Sequence, residues 1–194
     1  MTDYLDYYSS NLEGYLLGKV RANFLQIGFL SPTEFFCIII WKANRAKSKI
    51  ATKLSNHPGC DGLDDAVRKL TGELARAETP ETKMQTLVEK WKFALPMASA
   101  ILTILYPDEF TVYDVRVAGA IDEEKQTELK RIANRTVFAD IWSGYCEFRE
   151  WVKKSAPTSF SLRDKDRHLW GKSFFLQLQK DIQDNFQNSP PDPE

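Results

Sequence analysis

A chain of 194 residues with 43% hydrophobic and 27% charged content is long enough to close a core, as one domain or two small lobes, and too apolar for general disorder. The formal net charge of -1 excludes the global positive field of a nonspecific nucleic-acid binder, so any DNA contact must rest on local patches. Three cysteines, Cys37, Cys60 and Cys146, share no metal-ligand spacing and read as reduced thiols, which excludes a four-cysteine iron–sulfur cluster.

The chain opens Met1-Thr2-Asp3-Tyr4, with no basic region ahead of an apolar one, and does not read as a signal peptide. The longest apolar run, Phe35 to Trp41, is far short of the roughly 18 residues of a membrane span. A cytoplasmic protein without a membrane partner is the expectation. Between Tyr4 and Ile27, the residues Leu12, Tyr15, Leu16, Val20, Phe24 and Leu25 share a helical face, and Gly14 and Gly18 weaken it. This predicts one or two helices ending near Gly28.

Ser31-Pro32-Thr33-Glu34 has the form of a capping box with Pro at the first helical position. It predicts a long helix to about Leu54. In the second half Lys42, Arg45, Lys49 and Lys53 follow at intervals of three, four and four, and no acidic residue occurs between Glu34 and Asp61. Such a stripe is either a solvated helix face or a track of point charges for successive phosphates.

Asn56-His57-Pro58-Gly59-Cys60 is turn chemistry, and His57 with Cys60 is too poor in partners for a metal site. Asp61 is the expected cap of a helix from Leu63 to about Ala77, with Val67, Leu70 and Leu74 inward. Thr79-Pro80 starts another helix, carrying Met84, Leu87, Val88 and Trp91. A short helix follows from Leu95-Pro96, with Ala98, Ile101, Leu102 and Leu105 on one face, and Tyr106-Pro107-Asp108 stops it. An extended link, Phe110-Thr111-Val112-Tyr113, then delivers Asp114 to the start of a short helix ending near Ile121.

A charged segment runs to Ala133. Phe138, Ile141, Trp142, Tyr145, Phe148 and Val152 mark an amphipathic helix whose aromatics read as packing rather than as a base-stacking platform. Ser161-Leu162-Arg163-Asp164 starts the last helix, and the polar cluster Arg163, Asp166, Arg167, His168 and Lys172 lies near its beginning. Ser189 to Glu194 reads as a frayed, disordered tail. No run alternates with period two and no Gly-rich phosphate loop occurs, so kinases and P-loop enzymes are poor candidates. The fold class is all-α, with roughly eight to ten helices.

The order of hairpin, small-residue helix (Ala98-Ser99-Ala100), extended link and Asp114-Val115-Arg116 resembles the helix-hairpin-helix DNA glycosylase superfamily, in particular uncharacterised bacterial members. The likeness covers Trp91 to Val117, and Trp41-Lys42 followed by Arg45 also looks like a segment of those relatives. It implies a helix-hairpin-helix DNA-glycosylase-like bundle with two lobes around a cleft, formed by residues 1–188, with the hairpin and candidate site in 79–121. It also implies a DNA partner; some relatives carry a four-cysteine iron–sulfur cluster, which three cysteines cannot hold, so neither a metal cluster nor a cofactor is expected. Asp114 becomes the candidate catalytic residue, and Lys42, Arg45, Lys49, Lys53, Lys92 and Arg116 the candidate DNA contacts. Trp41, Tyr113, Asp166, His168 and Trp170 are candidates for a base pocket.

Cleaving an N-glycosidic bond develops positive charge on the sugar, which calls for an anion and a positioned water. A carboxylate at a helix N-terminus is favoured in its ionised form by unpaired amides and the helix dipole. Asp is equally a preferred N-cap, so a purely structural Asp114 is the rival interpretation. Two departures from the family matter. Pro96 stands where bifunctional members carry a nucleophilic lysine, which implies a monofunctional enzyme. Lys92-Phe93-Ala94 replaces the usual Gly-x-Gly of the hairpin turn, and side chains there are expected to restrict positive φ and crowd a phosphate. A non-catalytic nucleic-acid-binding module and a protein-interaction scaffold are the alternatives on the same fold.

Overall fold

The computed structural model describes residues 11–121 and 124–186, and among them every regular element is helical. The expected start of the first helix at Tyr4 and the expected tail from Ser189 lie outside the described residues. None of the described helices is long and apolar enough to cross a membrane.

Helix α1 (Asn11–Tyr15), a π turn (Leu16–Val20) and α2 (Arg21–Ile27) run end to end, and Gly28 closes them with a left-handed φ of 83°. Their buried side is Glu13, Leu16, Val20 and Phe24, while Leu12, Tyr15 and Leu25 are exposed. The inward face is therefore narrower than the sequence pattern implies, and it carries a glutamate. The buried positions keep ordinary helical spacing, and Glu13 is held inward by its ion pairs with Arg163 and Arg167.

Helix α3 (Pro32–Ala43) begins as expected: the Glu34 amide donates to the Ser31 hydroxyl, and the Ser31 amide donates to the Glu34 carboxylate at 2.9 Å. It does not run to Leu54. Ala43 leaves helical geometry (φ -160°, ψ 88°), Asn44–Ala46 form a 3₁₀ turn, and α4 (Lys47–Ser55) resumes the helix. Asn44, which favours caps and turns over helix interiors, sits at the break and accepts a hydrogen bond from Lys47 Nζ at 2.7 Å. The four cations of the expected stripe are thus divided among three elements.

Helix α5 (Gly62–Arg76) starts without a side-chain cap from Asp61. The Asp61 amide instead donates to Asp65 Oδ2 at 2.8 Å, so the carboxylate that satisfies the start lies inside the helix. Helix α6 (Pro80–Gln85) opens with a reciprocal Thr79–Thr82 box and runs on through a π turn, Thr86–Lys90. The Trp91 indole donates to Glu73 Oε2 at 2.8 Å, tying this arm to α5. Lys92 then adopts φ 54°, the left-handed region that its side chain was expected to disfavour. The turn closes through the Phe93 amide, which donates to the Leu87 carbonyl at 2.8 Å.

Helix α7 (Leu95–Leu105) is the centre of the fold. All its residues except Pro96 are buried, not only the face picked out by spacing, and it packs against α2, α3 and α6. A helix apolar all round belongs in a core. After it in the chain come α8 (Val115–Ala120), α9 (Gln126–Lys130), α10 (Phe138–Lys154) and α11 (Leu162–Gln183), with α8 and α11 in extensive contact. One buried apolar cluster extends from Leu16 to Leu169, each fully buried large side chain contributing roughly 1.5–3 kcal/mol of transfer free energy.

Candidate functional site

The site begins with the link between α7 and α8. It has no regular secondary structure and no strand occurs among the described residues, so its buried amides and carbonyls need side-chain partners. Three helices supply them. From α10, Tyr145 Oη accepts from the Thr111 amide (3.0 Å) and donates to the Thr111 carbonyl (2.8 Å). From α11, Asp166 Oδ2 accepts from the Thr111 hydroxyl (3.0 Å) and the Val112 amide (3.1 Å). From α7, Ser99 Oγ accepts from the Tyr113 amide at 2.9 Å. Burial pushes the Tyr145 hydroxyl well above its ordinary range, which keeps it a donor.

This clamped link presents Asp114 as the N-cap of α8. Asp114 Oδ1 accepts from the Arg116 amide at 2.8 Å, and Oδ2 accepts from Lys42 Nζ, also at 2.8 Å. The carboxylate is 22% exposed and the lysine side chain 17%. Both line a cavity of about 440 Å³ between the end of α3 (Ile40, Trp41, Lys42), the start of α8 (Asp114, Val117) and the start of α11 (Arg163, Asp166, Trp170). Leu12 and Val112 complete the lining.

Behind the cavity wall is a buried ionic network. Arg163 donates from Nε and Nη2 to Glu13 (2.6 and 2.9 Å) and from Nη1 to Asp166, while its guanidinium lies 5.1 Å from the Trp41 ring centre. Arg167 Nη2 stands 3.1 Å from Glu13 as well. Burial pushes the Asp166 carboxyl up, against the opposing pull of Arg163, the Val112 amide and the Thr111 hydroxyl. Glu13 thus joins the first described helix to the last, and a buried charge left without this pairing is costly.

Of the residues singled out in the sequence, the fold brings Asp114, Lys42, Trp41, Asp166 and Trp170 to one cavity. Arg45 and Lys49 are exposed outside it. Lys53 turns toward the hairpin, where Nζ donates to the Lys92 carbonyl at 2.7 Å and lies 4.2 Å from the Phe93 ring centre. Burial and the neighbouring Lys49 pull the Lys53 ammonium down. Lys92 is exposed at the turn, and Arg116 touches Asp114 through its backbone amide.

Tyr113 and His168 lie apart from the cavity. Tyr113 is fully buried, donates to the Leu129 carbonyl at 2.6 Å and packs edge-on against Phe148; His168 is buried edge-on to Phe160. Sequence reasoning gave Arg163 no role and overlooked Glu13. The available signal was Glu13 falling on the same i, i+3, i+7, i+11 face as Leu16, Val20 and Phe24. No group of three or more His, Cys, Asp or Glu able to hold a metal occurs among the described residues.

Comparison of the chain with protein-family models, with curated proteins and with solved structures found no match. The cavity offers apolar and indole walls, a carboxylate held at a helix start, and an ammonium beside it. That combination suits a flat, uncharged ring system next to a centre that gains positive charge.

Proposed function

We propose that this chain is a helix-hairpin-helix DNA-glycosylase-like protein that binds DNA and hydrolyses a base–sugar bond through Asp114. On this reading α6 with its π turn and α7 are the arms of the hairpin, and two lobes meet at the cavity. The observation that carries the reading is the position of Asp114: partly exposed, at the start of α8, on the wall of a cavity it shares with Trp41, Lys42 and Trp170. A base flipped out of the duplex would be held among the indoles, with its sugar at the carboxylate. As the C1′–N bond stretches, Asp114 stabilises the positive charge on the sugar and orients the attacking water.

Outside the cavity Arg45, Lys49, Lys92 and Arg116 supply cations for phosphates, each contact steepening the salt dependence of binding. By the resemblance Pro96 occupies the position of the family's nucleophilic lysine, and among the described residues the one lysine lining the cavity, Lys42, is paired with Asp114. The enzyme is therefore read as monofunctional, releasing the base without a covalent intermediate. Asp114→Asn tests this on lesion-containing duplexes: base release falls about 100- to 1,000-fold while DNA affinity is retained. Absence of release by the wild-type protein across a lesion panel overturns the enzymatic reading. A borohydride-trapped protein–DNA adduct overturns its monofunctional part.

A second reading has an observation of its own. Both Asp114 oxygens are already engaged, one by the Arg116 amide and one by Lys42, which is what a cap and ion pair in a non-catalytic nucleic-acid-binding module require. Under it, DNA binding persists with no base release to lose. DNA affinity undetectable even at low salt removes both readings and leaves a scaffold for protein partners.

A further inference from the structure

Most of the polar groups around the cavity are already bonded to one another. Asp166 is committed to Arg163, Thr111 and Val112, and Arg163 to Glu13 and Asp166. The charges also cancel in pairs, Lys42 with Asp114 and Arg163 with Asp166. Lys42 differs from the rest: an ammonium has three N–H donors, and one of them goes to Asp114. Among the described residues the other two meet no acceptor. One face of Trp41, of the kind that would attract a cationic ring, already carries the Arg163 guanidinium 5.1 Å from the ring centre.

From this we infer that the cavity takes an uncharged base bearing a carbonyl or ring-nitrogen acceptor, and that Lys42 both reads that acceptor and assists the base's departure. The inference rests on the glycosylase reading and names its substrate class. An uncharged base leaves with the electron pair of the broken C1′–N bond and becomes anionic. Water oxygen bonds to C1′, the water proton passes to Asp114, and the Lys42 ammonium hydrogen-bonds the developing charge on the base until solvent protonates it. An N-alkylated, positively charged base leaves as a neutral molecule and needs no such donor. It would also meet a balanced cavity with a cation already on its indole wall.

The test compares single-turnover base release from duplexes carrying hypoxanthine, uracil or 7-methylguanine, using wild-type protein, Lys42→Met and Lys42→Arg. Loss of its partner Lys42 perturbs Asp114 for every substrate, so the reading is the difference: Lys42→Met is expected to slow release of the uncharged bases about 10- to 100-fold more than release of 7-methylguanine, with Lys42→Arg recovering most of that difference. A wild-type preference for 7-methylguanine, or an equal loss for charged and uncharged bases, overturns the inference and leaves the glycosylase reading standing. If no duplex releases a base, the glycosylase reading falls, and titration of the tryptophan fluorescence with free hypoxanthine and 7-methylguanosine decides the cavity's preference. Tighter hypoxanthine binding that is lost in Lys42→Met supports the preference; tighter 7-methylguanosine binding overturns it.

Discussion

Asp114, which caps α8, and Asp166, near the start of α11, line one cavity with side chains 22% and 3% exposed. Asp114 holds one backbone amide and one lysine, and keeps contact with the cavity. Asp166 is sealed among Arg163, the Thr111 hydroxyl and the Val112 amide. The same side chain is thus given two duties by its surroundings. Asp166 fixes the link that carries Asp114, and Asp114 is the carboxylate left within reach of a ligand.

The contrast is broken first by stability. Asp166→Ala leaves Arg163 short of a buried partner and strips two groups of the link, and is expected to cost about 3–5 kcal/mol in denaturant unfolding. Tyr145→Phe removes the hydroxyl that bridges both backbone groups of Thr111 and should cost about 1–3 kcal/mol. Asp114→Ala removes a cap and a partly exposed ion pair, and about 1 kcal/mol is expected. If Asp114→Ala proves as destabilising as Asp166→Ala, the division of duties collapses.

The smallest effect is in pH dependence. The Asp166 carboxyl is raised in the folded state, mainly by burial, so between its unfolded and folded values the folded protein binds more protons. Its contribution is then most favourable below the ordinary carboxylate range and declines as pH rises through the raised folded value. Stability measured against pH should fall more steeply across that window in the wild-type protein than in Asp166→Asn.

Local signals proved readable where the chain itself satisfies them. The box at Ser31 and Glu34, the helix starts at Thr79 and Ser161 and the cap at Asp114 all depend on atoms within three residues of one another. Charges that meet across the fold were not readable. Glu13 and Arg163 are 150 positions apart, and nothing in the sequence near either one names the other. Tyr113 and His168 have the residue types of a binding pocket, yet Tyr113 Oη is used on the Leu129 carbonyl and the His168 ring packs against Phe160. Lys92 shows the reverse error. The turn keeps its left-handed residue without glycine, helped by a carbonyl bond from Lys53.

The interruption between α3 and α4 has a geometric consequence. In a continuous helix each residue advances the azimuth by about 100°, so the length and pitch of the 3₁₀ turn set the angular phase between the two segments. That phase aims Lys42 at Asp114 while Lys53 reaches the hairpin. Adding or deleting one residue there would rotate one cation away from its target even with every side chain retained, so the two lysines are coupled by distance along the chain rather than by contact.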